Sequence, residues 1–238
     1  MKLSCQAILF DLDGTLRHSR PTYSQSFLAI ANSLGVPESQ QGRIQSQRWL
    51  HYYWAQSDEM LSDRQKFDDQ QESFWTNHAR KKLLAYGCPP AQADELAPLI
   101  YQRMADEYEP QAWVPPDVPE TLRSLSAAGY RLAVVSNRSQ PCQDELDRLG
   151  LSEYLDFSLT SGEVHAWKPD PRIFALALQQ LELSPEDVLY IGDNYYADVV
   201  GARRAGLQPV LIDPAGIFPE VNCPVIASIA DLLMLLSQ

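Results

Sequence analysis

A four-residue apolar run, Ala7–Phe10, leads directly into two aspartates, Asp11 and Asp13, near the start of the 238-residue chain. Such a run is typical of a central parallel strand that is buried on both faces, so Asp11 lies where the strand ends. Gly14 then allows the chain to turn away. Two carboxylates in this position repel each other and lose hydration, so the fold must supply a cation, a metal or strong hydrogen-bond donors beside them.

The segment 17–112 shows no convincing strand pattern and is predicted to be an inserted helical domain. Helices are predicted over residues 23–34, 39–56, 63–86 and 91–108, with boundaries marked by glycine and proline. Aromatic residues are frequent in the second and third of these helices: Trp49, Tyr52, Tyr53, Trp54, Phe67, Phe74 and Trp75. At helical spacing such residues more often form the core of a bundle than line a ligand site, so the core interpretation is preferred.

From Trp113 onward the chain alternates helices and strands, which indicates a parallel sheet covered on both faces. Strands are predicted over 131–136, 156–160, 188–192, 209–212 and 225–227. Helices are predicted from Val118, with Asp117 and Glu120 as a capping box, over 140–149, 171–181 and 195–205, and at the carboxyl end. The predicted fold class is therefore α/β, with a discontinuous Rossmann-like core, residues 1–16 and 113–238, and a helical domain over 17–112.

Charge and composition exclude several classes of function. The net charge is −12 and no cluster of Lys and Arg occurs, which argues against a nucleic-acid partner. The longest apolar runs are far shorter than the ~20 residues of a membrane span, and no signal-peptide pattern is present, so no membrane partner is expected. The four cysteines are widely separated, which favours free thiols over a metal or disulfide site. We expect a cytoplasmic protein.

Four polar features follow predicted strands: Asp11 with Asp13, Ser136 with Asn137, Lys168, and the segment 193–198. In a parallel sheet the carboxyl ends of the strands meet at one edge, where such folds bind ligands. Each feature alone has a structural explanation, as a helix cap or a solvated charge. Together they favour a site, because Lys168 is the only lysine from Trp113 onward and Pro169 holds it in a loop.

The chemistry that these residues could perform is phosphoryl transfer. Asp11 and Asp193 offer the hard oxygen ligands that Mg²⁺ prefers. Lys168 and the Ser136 hydroxyl could hold the oxygens of a phosphoryl group, so that Asp11 can attack as a nucleophile. Asp13 would protonate the leaving oxygen and later accept a proton from water.

Four segments resemble motifs one to four of the haloacid dehalogenase superfamily: DLDGT at 11–15, VSN at 135–137, KPDP at 168–171 and GDNYYAD at 192–198. The resemblance covers the whole chain, and the helical insertion is similar to that family's C1 cap. It implies an aspartyl-phosphate mechanism in which Asp13 also places its backbone carbonyl on Mg²⁺. It further implies that Ser136, Asn137 and Lys168 bind phosphate, that Asp193 binds the metal, and that Asp198 and Asn194 support the site.

The loop before Lys168 departs from the family pattern, because His165 stands where many relatives have glycine and Trp167 follows it. Packing explains these residues by default, and contact with substrate is the sharper alternative. Arg17, His18 and Arg20 pose the same choice between an anion contact and a solvated hinge.

The sequence therefore predicts a Mg²⁺-dependent phosphatase that hydrolyses the monoester of a small phosphorylated metabolite, as a monomer or homodimer. A phosphomutase would keep the same residues and is the nearest alternative. A binding or scaffold protein is disfavoured, because such a protein need not keep four costly carboxylates and a lysine together. A dehalogenase is disfavoured by Asp13, since dehalogenases of the family typically lack an aspartate there.

Overall fold

The computed structural model of the protein describes residues 5–68 and 71–237. The chain divides into two compact units: a helical unit, Ser19–Ala112, and a sheet unit formed by Met1–His18 and Trp113–Gln238. Among the described residues, no helix combines the length and the apolar character that a bilayer span requires.

Eight strands lie within the described residues, and six of them form one sheet. The strands are β1 (Ala7–Phe10), β2 (His18–Arg20), β3 (Gln111–Trp113), β4 (Arg131–Ser136), β5 (Phe157–Thr160), β6 (Val188–Gly192), β7 (Gln208–Ile212) and β8 (Val225–Ile226). The sheet has the order β5-β4-β1-β6-β7-β8 and is parallel throughout. β2 and β3 form a separate pair. The predicted α/β fold with a parallel Rossmann-like sheet is confirmed.

Helices account for most of the remaining structure. The helical unit contains α1 (Tyr23–Ser33), α2 (Gln40–Trp54), α3 (Asp58–Lys66), α4 (Glu72–Tyr86) and α5 (Pro90–Glu107). The sheet unit contains α6 (Asp117–Ala127), α7 (Gln143–Arg148), α8 (Ser161–Val164), α9 (Pro171–Leu181), α10 (Val200–Arg204) and α11 (Asp231–Leu236).

β1 is buried on both faces, as its unbroken apolar run predicts. Successive side chains of a strand point to opposite faces, so Ile8 and Phe10 enter one apolar cluster while Ala7 and Leu9 enter another. The first cluster includes residues of α6 and α11, and the second includes residues of α9 and α10. β1 therefore lies at the centre of a three-layer unit, and its carboxyl end is held rigidly by the packing around it.

The single helix predicted over 63–86 is wrong, because α3 and α4 are separate. α3 begins at Asp58 after Ser57, whose side chain accepts a hydrogen bond from the Met60 amide. Before α4 begins, the Gln71 amide donates to the Asp68 carbonyl and the Gln71 side chain donates to the Asp68 carboxylate. Aspartate side chains favour turns and caps over helix interiors, which accounts for the break.

Three smaller predictions also need correction. Asp117 lies inside the first turn of α6, after Pro116, so the predicted capping box does not form. The helix predicted over 140–149 is limited to α7, which begins only after Cys142. The helix predicted over 195–205 consists of a π-helical turn, Tyr195–Val199, followed by α10.

The aromatic residues of the helical unit form a small core of their own. Tyr53 and Phe74 are fully buried against Met60, and Trp49, Trp54, Phe67 and Trp75 pack partly buried around them, whereas Tyr52 is exposed. The predicted core role is therefore confirmed for the first six of these aromatics and wrong for Tyr52.

Candidate active site

The candidate site lies at the carboxyl edge of the three central strands. In the register of the sheet, Phe10 of β1 faces Val134 of β4 on one side and Ile191 of β6 on the other. The residues that follow these positions therefore lie side by side, and the Asp11 amide bonds to the Ile191 carbonyl at 2.8 Å. This geometry brings the ends of β1, β4 and β6 together, as parallel pairing requires.

Lys168 is the central cation of this edge. Its side chain is 2% exposed, and its ammonium donates to Asp11 Oδ1 at 2.6 Å and to Asp198 Oδ1 at 2.7 Å. Burial alone would lower the pKa of Lys168, but the two carboxylates outweigh this effect and raise the pKa well above its usual value. Lys168 is therefore a permanent positive charge among buried carboxylates.

Tyr190, in the middle of β6, is a third partner of Lys168 that the sequence analysis missed. Its hydroxyl accepts from Lys168 Nζ at 2.8 Å and lies within donating distance of the Val135 carbonyl, at 2.9 Å, and of Asp198 Oδ1, at 3.3 Å. A tyrosine within an otherwise aliphatic buried strand is the signal that could have revealed it, since a buried hydroxyl needs a partner. Tyr190 thus helps to hold the Lys168 ammonium in place.

Asn137 fixes the loop that carries Lys168. Its side-chain carbonyl accepts from the Lys168 amide at 2.7 Å, and its side-chain amide donates to the Lys168 carbonyl at 2.9 Å. The Ser161 hydroxyl also donates to Asn137 Oδ1, at 2.8 Å. Through these contacts Asn137 positions Lys168, and the phosphate contact that the family resemblance implies for Asn137 stays a prediction. The neighbouring Ser136 is buried as the last residue of β4.

Three carboxylates, those of Asp11, Asp193 and Asp198, each place an oxygen within 4.8 Å of the other two. Burial raises the pKa of Asp11 to about 7, against the lowering effect of Lys168. Burial also raises the pKa of Asp193 well above its usual value, and the charges of Asp11 and Asp198 add to the effect. The site therefore holds more negative charge than Lys168 alone can balance.

A hard divalent cation such as Mg²⁺ fits this donor set of carboxylate oxygens. The fold also keeps space beside it: a Cβ on Gly14, which has φ of +92°, would lie 2.4 Å from Asp193 Oδ2. Asp198 is committed elsewhere, because Oδ1 accepts from Lys168 and Oδ2 from the Asn194 amide at 2.9 Å. Asp11 and Asp193 are therefore the side chains that would hold the ion.

Asn194 organises the start of the π-helical turn that carries Asp198. Its side-chain carbonyl accepts from the amides of Tyr196 and Ala197, at 3.0 and 3.1 Å. The Asn194 backbone amide itself donates to the Asp198 carboxylate, so the residue holds the turn with its side chain and Asp198 with its backbone.

Asp13 belongs to a ring of four alternating charges, completed by Arg138, Glu145 and Arg17. Arg138 donates from Nε to Asp13 Oδ2 at 2.6 Å and from Nη2 to Asp13 Oδ1 at 2.8 Å. Arg17 donates from Nη1 to Asp13 Oδ1 at 2.9 Å. Glu145 accepts from Arg138 Nη1 and, at 3.1 Å, from Arg17 Nε. Both oxygens of Asp13 therefore accept hydrogen bonds from arginines, and its predicted role in proton transfer stays a prediction.

Two further candidates for substrate contact are His18 and His165. The His18 ring lies 5.8 Å from the Trp113 ring, centroid to centroid. His165 is exposed and ends α8 with φ of +51°, the left-handed conformation of a helix C-cap. Their contact with substrate stays a prediction.

Comparisons with known proteins agree on the family. The family model described as haloacid dehalogenase-like hydrolase matches residues 5–206. The human haloacid dehalogenase-like hydrolase domain-containing protein 3 is 31% identical over 224 residues, which cover 93% of this chain and 87% of that protein.

The relatives whose names state an activity include both phosphatases and dehalogenases. A ribulose-1,5-bisphosphate 5-phosphatase from Halopiger xanaduensis is 30% identical over 214 residues, covering 88% of this chain and 85% of that protein. A crystal structure of a dehalogenase with an intermediate complex, 25% identical, superposes with a TM-score of 0.62 over the whole length of both chains. The motifs, the parallel sheet and the family match together show that the protein belongs to the haloacid dehalogenase-like hydrolases.

Proposed function

We propose that this hydrolase is a Mg²⁺-dependent phosphatase that cleaves a small phosphate monoester through an aspartyl-phosphate on Asp11. The observation that carries the proposal is the buried Lys168 ammonium bonded to Asp11 within a cluster of three carboxylates. Such a cluster is costly to bury, and a divalent cation with a phosphoryl group is the partner that would balance it. When bound, Mg²⁺ would offset the charge of Asp11, Asp193 and the phosphoryl oxygens.

Asp11 would act as the nucleophile. One of its oxygens forms a bond to phosphorus while the bond from phosphorus to the ester oxygen breaks, and the alcohol leaves with a proton. Lys168 holds Asp11 in place and offers positive charge to the phosphoryl oxygens. The Ser136 hydroxyl is proposed to hold a further phosphoryl oxygen, from its position at the end of β4.

Asp13 would supply the proton that the leaving alcohol takes, and would then accept a proton from the water that attacks the phosphoenzyme. Water attack breaks the bond between phosphorus and Asp11, so that inorganic phosphate leaves and the Asp11 carboxylate is restored. Asp13 is two residues from Asp11 and is partly exposed, which supports a role at the mouth of the site. The ring with Arg17 and Arg138 must open for this step.

The carboxylate cluster favours a phosphatase over a dehalogenase. Displacement of a halide needs no metal ion, and it needs no proton donor such as Asp13. A phosphomutase would retain all of these residues and pass the phosphoryl group to a sugar instead of water. The phosphatase name of the Halopiger relative supports hydrolysis and a small phosphorylated substrate. A cytoplasmic location, the absence of a nucleic-acid or membrane partner, and a monomeric or homodimeric state stay predictions from the sequence.

The direct test is hydrolysis of p-nitrophenyl phosphate with and without metal. We expect activity that disappears with EDTA and returns with Mg²⁺, whereas Ca²⁺ should inhibit because its looser coordination lets Asp11 bind through both oxygens. Full activity in excess EDTA would contradict the proposal. With sugar phosphates, release of inorganic phosphate identifies a phosphatase, and formation of an isomeric sugar phosphate identifies a mutase.

Two variants separate the proposed roles of the aspartates. Asp11→Asn should form no phosphoenzyme from any substrate. Asp13→Asn should release up to about one equivalent of p-nitrophenol in a burst and then stall, since p-nitrophenolate leaves without a proton donor but water is no longer activated. With an alkyl phosphate the same variant should give no burst. Equal inertness of both variants towards both substrates, with no phosphoprotein trapped, would leave Asp13 without the proposed role.

A further inference from the structure

Two guanidinium groups converge on Asp13 from different parts of the sheet unit. Arg138 follows β4 directly after Asn137, and Arg17 lies beyond the turn that follows β1. Arg138 meets the Asp13 carboxylate with two roughly parallel N–H bonds, 2.6 and 2.8 Å long, and Arg17 adds a third of 2.9 Å. This fork geometry is how arginine recognises carboxylate and phosphate groups in general.

Glu145 fixes both guanidiniums from the opposite side. It accepts from Arg138 Nη1 and from Arg17 Nε, and the hydrogen bond from Arg138 lowers the pKa of Glu145. The two arginines are thereby pre-organised, with their remaining N–H groups aimed at the place that the Asp13 carboxylate occupies. The arrangement is also within reach of solvent, since the side chains of Asp13, Arg138 and Arg17 are 41%, 23% and 18% exposed.

The proposed role of Asp13 is incompatible with this closed ring. Both Asp13 oxygens accept from guanidiniums, so neither can turn to a leaving oxygen until the ring opens. Opening it would separate the guanidiniums of Arg138 and Arg17 from one of the two carboxylates that they share. An anion that takes the place of the Asp13 carboxylate would restore the lost contacts. Arg138 is two residues beyond Ser136, at the same sheet edge as Asp11.

We propose that Arg138, assisted by Arg17, binds a second anionic group of the substrate in the place that the Asp13 carboxylate now occupies. The inference rests on the proposed phosphatase function and narrows its substrate class to small phosphate monoesters that carry a carboxylate or a second phosphate. Binding of that group releases Asp13 for proton transfer, so the anionic substrate itself completes the catalytic arrangement. Arg138 is thus a specificity-determining residue.

The test uses four phosphate esters built on a two-carbon chain. Ethyl phosphate has an uncharged far end, 2-aminoethyl phosphate a cation, phosphoglycolate a carboxylate and ethane-1,2-diol bisphosphate a second phosphate. We expect kcat/KM of the wild-type protein for at least one of the two anionic esters to exceed that for both of the others. The anionic ester with the higher kcat/KM shows whether a carboxylate or a phosphate is recognised.

Replacement of Arg138 then shows whether this residue is the cause. Arg138→Met should reduce the preference for the anionic ester over ethyl phosphate by about tenfold or more, mainly through KM, since a charge-assisted bidentate contact is lost. Differences in leaving-group quality cancel when the preference is compared between variants. Arg138→Lys should restore part of the preference, because it keeps the charge without the fork.

Arg131→Met is the matched control. Arg131 begins β4 and forms an exposed ion pair with Asp156 at 2.6 Å, so its loss removes an arginine from the opposite end of the same strand. Its substrate preference should equal that of the wild type. A preference that is absent in the wild type, or that survives in Arg138→Met, would overturn the inference while leaving the phosphatase proposal intact. If the wild type hydrolyses none of the four esters and does not hydrolyse p-nitrophenyl phosphate either, the proposed function is contradicted instead.

Discussion

Replacing Lys168 by methionine should destabilise the sheet unit by about 3–5 kcal/mol at pH 7.5, the usual cost of breaking a buried ion pair by removing one partner. Methionine nearly preserves the volume of the side chain, so the change removes charge rather than packing. The lost ammonium lies 2.6 Å from Asp11 and 2.7 Å from Asp198, and its side chain is 2% exposed. The carboxylates that it balances would remain buried.

The pH dependence of this loss gives the sharper test. Burial raises the pKa of Asp11 to about 7 even with Lys168 beside it, and removal of the ammonium raises it further. A carboxyl whose folded pKa exceeds its unfolded pKa, about 4, makes folding less favourable as pH rises through that window. The deficit of Lys168→Met relative to the wild type should therefore be larger at pH 7.5 than at pH 5.

Urea unfolding followed by circular dichroism at both pH values measures the difference. Arg131→Met serves again as the control, because its exposed ion pair should contribute less than about 1 kcal/mol at either pH. If Lys168→Met is within 1 kcal/mol of the wild type, or its deficit does not change between pH 5 and pH 7.5, the reasoning from buried charge is refuted.

Three further perturbations test other parts of the structure. Mg²⁺ should raise the melting temperature of the wild type and of Asp213→Asn, whose buried carboxylate lies outside the cluster, but not of Asp193→Asn; an equal shift in all three would contradict the metal assignment. Gly14→Ala should lose both activity and the rise in melting temperature with Mg²⁺, since its Cβ would lie 2.4 Å from Asp193. Gly150→Ala is the control: Gly150 also has a positive φ but no atom within 4 Å of its Cβ position, so this variant should lose only the stability that a strained backbone costs. Burial lowers the pKa of His78 to about 3, below its unfolded value of about 6.5. Thermal unfolding should therefore show that the stability of the helical unit falls as the pH decreases below 6.5, and His78→Phe should reduce this pH dependence.

The sheet and its functional edge could be predicted because their signals are local. A buried parallel strand is a continuous apolar run, and a polar residue at its end must lie at the ligand-binding edge. Asp11 and Asp193 follow from this rule, whereas Lys168 lies in a loop further beyond β5 and α8. The family resemblance implied only a supporting role for Asp198, and in the structure its carboxylate accepts from Lys168 at 2.7 Å.

The roles of Tyr190 and Arg138 were not predicted, because their partners are distant in the sequence. Arg138 and Asp13 are 125 positions apart, and Arg138 viewed alone is an ordinary loop cation. Tyr190 has the pattern of a core residue, and only its hydroxyl distinguishes it. The break between α3 and α4 was missed for another reason: the segment between them, residues 67–71, contains neither glycine nor proline.

The central position of β1 has a consequence for how the protein is made. β1 leaves the ribosome first among the strands of the sheet, yet its two neighbours, β4 and β6, are synthesised more than a hundred residues later. Until then an apolar strand has two unpaired edges, a state that favours association with other chains. The contact between Asp11 and Lys168 spans 157 positions, so the charges of the site can meet only when nearly the whole chain is available. A nascent or truncated chain should therefore depend on chaperones, and it should acquire activity in one late step rather than by degrees.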